Sequence, residues 1–183
     1  MSIRLAKTLD ESLTPEFAQF ICEMGYLTVD KQRIETISQL PEKLELSRSD
    51  IENFVSDGCL IRSNVRELVM INCKGLVDIS FAADMRFLTH LNLSRCTGIV
   101  DISPLARSTS LKSLWLTGCT GIVDISPLVL CRSLNRVSLI GCTNVSNISA
   151  LNESTVNEIF SERCLSISGI SSLNPNITIK SYL

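Results

Sequence analysis

Apolar and polar positions follow one arrangement that returns along most of the chain. Val65, Leu68 and Met70 hold the same three places as Leu88, Leu91 and Leu93, then Leu111, Leu114 and Leu116, then Leu134, Val137 and Leu139. Val156, Ile159 and Ser161 continue the series in weakened form. In each set the last two apolar residues are separated by one non-core position, the period of a strand with one buried face. A cysteine follows each set, and Cys73, Cys96, Cys119, Cys142 and Cys164 stand 23, 23, 23 and 22 residues apart. They open the phrases CKGLVDIS, CTGIVDIS, CTGIVDIS, CTNVSNIS and CLSISGIS. A fixed period of roughly twenty to fifty residues marks one supersecondary unit copied and stacked into a solenoid. The strands then form one parallel wall, and the segments ISPLAR and ISPLVL carry the chain back along the opposite face. Ser103 and Ser126 read as N-caps, with Pro104 and Pro127 at the first helical position, so each return is predicted to be a short 3-10 or helical turn.

The spacing of leucines and cysteine resembles the leucine-rich repeat frame LxxLxLxx(N/C)xL over roughly residues 65 to 183. The DISPLA and DISPL turns at 101–106 and 124–128 are similar to those of bacterial internalins and phosphatase-regulator repeats, and the cysteine is similar to that in repeats of ubiquitin-ligase receptors. The combination with a 23-residue period most resembles leucine-rich repeat proteins of trypanosomes and their relatives. The resemblance implies an α/β fold: a short right-handed solenoid with a parallel concave sheet and 3-10 or short helical convex returns. It also implies that function sits on the concave face.

The register then lists the outward positions. Four residues before each cysteine stand Val69, Asn92, Trp115, Ser138 and Phe160; two before stand Ile71, Ser94, Thr117, Ile140 and Glu162; six before stand Glu67, His90, Ser113, Arg136 and Glu158. Trp115 is the single tryptophan of the chain and projects from the middle strand. A large aromatic at the centre of a broken apolar patch is favoured as an interface anchor. Val69, Ile71, Ile140 and Phe160 supply the patch, His90, Asn92 and Thr117 its polar neighbours, and Arg95 and Arg136 its charged edge. The competing posture has Trp115 lying flat across neighbouring repeats, covering its own strand.

Two further columns carry residues capable of chemistry. Neighbouring repeats bring the cysteines within about 5 Å, a separation a disulfide tolerates. Five thiols pointing one way cannot all pair, a linear column builds no tetrahedron, and no CxxC pair is present, so core packing is the expected role and no metal is expected. The aspartates Asp78, Asp101 and Asp124 repeat at 23 residues. One carboxylate per repeat does not make a calcium site, and turn capping is the expected role. Five N-x-(S/T) sequons, at Asn92, Asn144, Asn147, Asn152 and Asn176, read as turn residues.

Residues 1–64 differ in character. Phe17, Phe20, Ile21 and Met24 follow helical spacing after Thr14-Pro15-Glu16, a second helical stretch is predicted from Asp30 to about Leu40, and Ile51, Phe54 and Val55 suggest a third. An open solenoid exposes its first apolar layer, so this segment is read as a helical N-terminal cap. Leu40-Pro41-Glu42 followed by Leu44 resembles the start of an F-box, but the rest of that pattern does not follow. At the other end ITIKSYL, with Ile177 and Ile179 alternating, is a predicted last strand after a shortened return.

Charge and composition narrow the function classes. The net charge is −2, with 45% hydrophobic residues. Residues 1–64 hold seven basic and eleven acidic side chains and residues 65–183 ten and eight, so neither part has the basic excess of a nucleic-acid binder. One histidine, no phosphate-cradling glycine loop, no nucleophile elbow and no paired ligand motif argue against catalysis and against a cofactor or small-molecule substrate. The opening MSIRLAKTLDESLTPEF lacks the apolar stretch of a secretory signal, and no run is long enough for a membrane span, which suggests an intracellular, most simply cytoplasmic, protein. The expectation is a non-catalytic protein-interaction module or scaffold subunit in a larger assembly; the alternative is a substrate receptor or regulatory subunit of a ubiquitin-ligase or phosphatase complex.

Overall fold

In the structure, a computed structural model, residues 65–162, 168–171 and 173–180 are described in full and 43–45 as backbone. Apart from 43–45, the predicted helical cap lies outside the described residues, as does Cys164.

Seven short parallel strands form one sheet in strict chain order: β1 (Lys43–Glu45), β2 (Glu67–Val69), β3 (His90–Asn92), β4 (Ser113–Trp115), β5 (Arg136–Ser138), β6 (Glu158–Phe160) and β7 (Thr178–Lys180). Sequential parallel order requires each connection to return over the same face, and that is how a solenoid is built. The register keeps Leu44, Leu68, Leu91, Leu114, Val137, Ile159 and Ile179 in one row. Leu68 through Ile159 of that row are at most 1% exposed. β1 lies before the first cysteine phrase, so the sheet starts one strand earlier than the leucine pattern showed; of the F-box-like residues Leu44 lies in this strand, and Leu40, Pro41 and Glu42 lie outside the described residues.

Beyond each strand the backbone keeps pairing with the next repeat. Met70, Leu93, Leu116 and Leu139 donate their N–H groups to Asn92, Trp115, Ser138 and Phe160 carbonyls at 2.8–2.9 Å. The chain then turns through a left-handed residue immediately before Cys73, Cys96, Cys119 and Cys142: Asn72, Arg95, Gly118 and Gly141, with φ of 61°, 62°, 71° and 67°. Glycine takes this conformation freely and asparagine tolerates it, whereas arginine does not favour it.

The returns are a four-residue α-helix, Phe81–Asp84, and 3-10 helices at Ser103–Arg107, Ser126–Leu130 and Ser149–Glu153. The predicted serine caps are corrected here. Ser103 and Ser126 are the first helical residues, with Ile102 and Ile125 at the cap positions. Instead of accepting, each serine donates: Ser103 N–H and Oγ–H reach the two carboxylate oxygens of Asp101 at 2.7 and 2.9 Å, and Ser126 those of Asp124 at 2.8 and 2.9 Å. Two donors on one carboxylate hold Asp101 below its ordinary pKa, the backbone N–H being the larger cause and the hydroxyl the second. Asn147 does the same work in the next repeat, accepting from Ser149 N–H at 2.8 Å.

The core lies between sheet and returns. Each repeat contributes strand leucines, the cysteine, two residues of the following turn such as Ile99 and Ile102, and a return leucine such as Leu105, all at most 1% exposed in the middle repeats. The thiols fill the turn and bond backward: Cys96, Cys119 and Cys142 donate to the carbonyls of Met70, Leu93 and Leu116, each at 3.0 Å. Burial raises the Cys96 thiol and pushes Cys119 up to about 12, and it pushes Cys131, which donates to Leu105 O at 2.9 Å, up to about 11. Such thiols remain protonated and are poor nucleophiles.

Candidate functional site

Strand pleating sends the residues flanking the leucine row to the concave side. Val69, Asn92, Trp115, Ser138 and Phe160 stand in one register row, and Glu67, His90, Ser113, Arg136 and Glu158 in the next. The structure therefore brings His90, Asn92, Trp115 and Arg136 together on adjacent strands β3, β4 and β5. Thr117, Ile140 and Ile71 lie just beyond the strand ends, and Ile71 is 47% exposed. Arg95 is the left-handed turn residue after β3 rather than a strand residue, and it is exposed.

At the centre, the rings of His90 and Trp115 stack with centroids 6.2 Å apart and planes inclined by 23°. Ser113, two residues before Trp115, is 0% exposed, and Ser138, its partner across the sheet, 2%. The indole thus lies down on the sheet, half-buried. This corrects the expectation that Ser113 and Ser138 are open to solvent: they belong to the concave rows but are sealed. Ser138 Oγ shares a hydrogen bond with Thr117 Oγ1 at 2.9 Å. Ser113 Oγ has no hydrogen-bond partner among the described residues.

The proton of His90 can be placed. Thr89 Oγ1 lies 3.0 Å from the Arg66 carbonyl oxygen and 2.9 Å from His90 Nδ1. A carbonyl only accepts and the hydroxyl carries one hydrogen, so Thr89 donates to Arg66 and must accept from Nδ1–H. Nε2 is left as the ring's other hydrogen-bonding site.

The remaining predicted residues are partly committed elsewhere. Asn92 Oδ1 accepts from Ser94 N–H at 3.0 Å and from its Oγ–H at 2.6 Å. Phe160 carries the Lys180 ammonium 5.5 Å from its ring centroid, and the same ammonium bonds Glu158 at 3.0 Å. By contrast, the guanidinium groups of Arg95 and Arg136 have no ion pair or hydrogen bond among the described residues, whereas Arg107 on the convex side pairs with Asp84. The sequence reading missed the sealed hydroxyl of Ser113 for want of any local signal. It also missed the left-handed column, although asparagine and glycine at one place in successive repeats pointed to it.

Residues 88–129 match the family model described as Leucine Rich repeats (2 copies). Among solved structures, an internalin (inlF) from Listeria monocytogenes is 25% identical with a TM-score of 0.49, over 58% of this chain and 31% of that one. An internalin C2 from the same species is 19% identical with a TM-score of 0.41, over 64% of this chain and 62% of that one. The chain therefore spans less than two thirds of either internalin. No curated protein matches it.

Proposed function

We propose that this solenoid of leucine-rich repeats is a non-catalytic protein-interaction module that binds its partner across the concave face. One observation carries the reading: the half-buried indole of Trp115 lies at the middle of the sheet, stacked on His90. A preformed aromatic on a rigid sheet loses little conformational freedom when a partner docks. Membership of a larger assembly, as a scaffold subunit, follows from the same reading. Affinity capture with the wild-type chain and with Trp115→Ala, both verified as folded, tests it. Selective loss of a partner supports the concave face; an unchanged partner set moves the interface elsewhere.

A further inference from the structure

We infer that the concave face receives an acidic peptide segment carrying an apolar side chain between two carboxylates. The inference rests on the concave-face reading and names the partner's chemistry.

The distribution of charge is the first argument. Among the described residues on the concave side of β3, β4 and β5 and the turns that follow them, the charged side chains are Arg95 and Arg136; the carboxylates Glu67, Glu158 and Glu162 belong to β2, to β6 and to the residues following β6. Glu158 is already engaged by Lys180 at 3.0 Å. The middle of the face is thus cationic with acidic flanks, which complements an acidic segment and repels one bearing basic residues at the same places.

The second argument is backbone strain. Among the described repeats, Arg95 occupies φ 62° in a column otherwise filled by asparagine and glycine. The turn itself would be better served by glycine. The Arg95 side chain runs along the next repeat, its Cγ 3.4 Å from where a Cβ of Gly118 would stand, and finds no anion there. A disfavoured conformation kept without a local return is accounted for by a ligand that uses the side chain.

The third is the sealed hydroxyl. Ser113 lies between His90 and Arg136 in its register row, fully buried with Oγ unpartnered. A carboxylate drawn to Arg136 sits one strand from that hydroxyl, while the His90–Trp115 stack that receives the apolar residue stays in place. Trp115 lies between the two arginines, which are two strands apart across the sheet, so their backbones are separated by roughly 15–20 Å along a diagonal of the groove. An extended peptide covers that in about five residues, with its apolar residue meeting the indole midway.

The test is selection from a phage-displayed library of random short peptides on the full chain, followed by titration of the selected peptides in synthetic form. Expected are acidic residues on both sides of an aromatic or aliphatic one. Arg95→Gly and Arg136→Gln should each weaken binding roughly ten-fold, with Arg95→Gly melting no lower than wild type, and selection on Arg136→Glu should replace one acidic position with a basic one. Peptides that depend on Trp115 but lack acidic residues and ignore both arginine variants would overturn the acidic partner and leave the concave face standing. Peptides indifferent to Trp115→Ala, or an empty selection, would overturn both. Displacement of the peptides by a single-stranded oligonucleotide at equal concentration would overturn the acidic peptide in favour of a polyanion.

Discussion

The thiol of Cys119 donates to the carbonyl of Leu93 in the preceding repeat at 3.0 Å. Cys96 and Cys142 make the same bond one repeat to either side, so the column that first marks the period in the sequence also ties neighbouring repeats together. In the folded chain Cys73, Cys96, Cys119, Cys131 and Cys142 are therefore expected to resist alkylation by iodoacetamide and to react together on unfolding. Mass-spectrometric mapping with and without denaturant checks this, and prompt native labelling of any of the five would contradict it.

The same burial predicts a dependence on alkaline pH. The folded values of about 12 for Cys119 and about 11 for Cys131 lie above the ordinary 9.0 of a thiol. A raised value means that the unfolded chain releases its proton first. The thiols' contribution is complete below the ordinary value and is lost as pH rises through the folded ones. Urea midpoints measured at successive alkaline pH values should fall from about pH 9 upward, and Cys119→Ala should flatten that slope while lowering stability near neutrality by about 1–2 kcal/mol.

Arg95→Gly is expected to stabilise the chain by about 1 kcal/mol, because it relieves a left-handed arginine. Gly118→Ala should destabilise by a similar amount, since it introduces a side chain at φ 71°. Thermal melts of the two variants, read against wild type, should move in opposite directions.

How far this architecture was legible depends on what each residue's position records. The buried row from Leu68 to Ile159 could be read at once, since a stacked repeat forces the same apolar spacing on every copy. The capping roles could not be assigned from spacing alone: Asp101 and Ser103 both have the right chemistry, and only the backbone path decides that the carboxylate accepts and the serine donates. The posture of Trp115 could be narrowed only to two, projecting or lying across neighbouring repeats; the structure takes the second, and the choice depends on a ring two positions further back on another strand. Of the concave residues chosen from register, His90, Asn92, Trp115 and Arg136 come together on adjacent strands, with the Asn92 Oδ1 engaged by Ser94.

Asp124→Ala should lower stability by about 1 kcal/mol through loss of two hydrogen bonds at the start of a return. Asp124→Asn should lose much less, since Asn147 already holds Ser149 in the equivalent turn. Chemical denaturation of the pair distinguishes this capping role from a role for the negative charge.

Leu114→Ala removes a side chain that is 1% exposed in the central strand and should cost about 2–5 kcal/mol. Because each repeat rests only on its neighbours, the loss should raise hydrogen exchange most in the adjoining repeats and least at β7.

The ten residues from Cys96 to Leu105 recur without a change from Cys119 to Leu128. Their turns superpose in register, bond for bond: Ser103 to Asp101 as Ser126 to Asp124, and Cys96 to Met70 as Cys119 to Leu93. A gene recombining between these two stretches would lose or gain one whole period and still encode a continuous wall, so the width of the groove is a quantity that heredity can alter in single steps of about 5 Å.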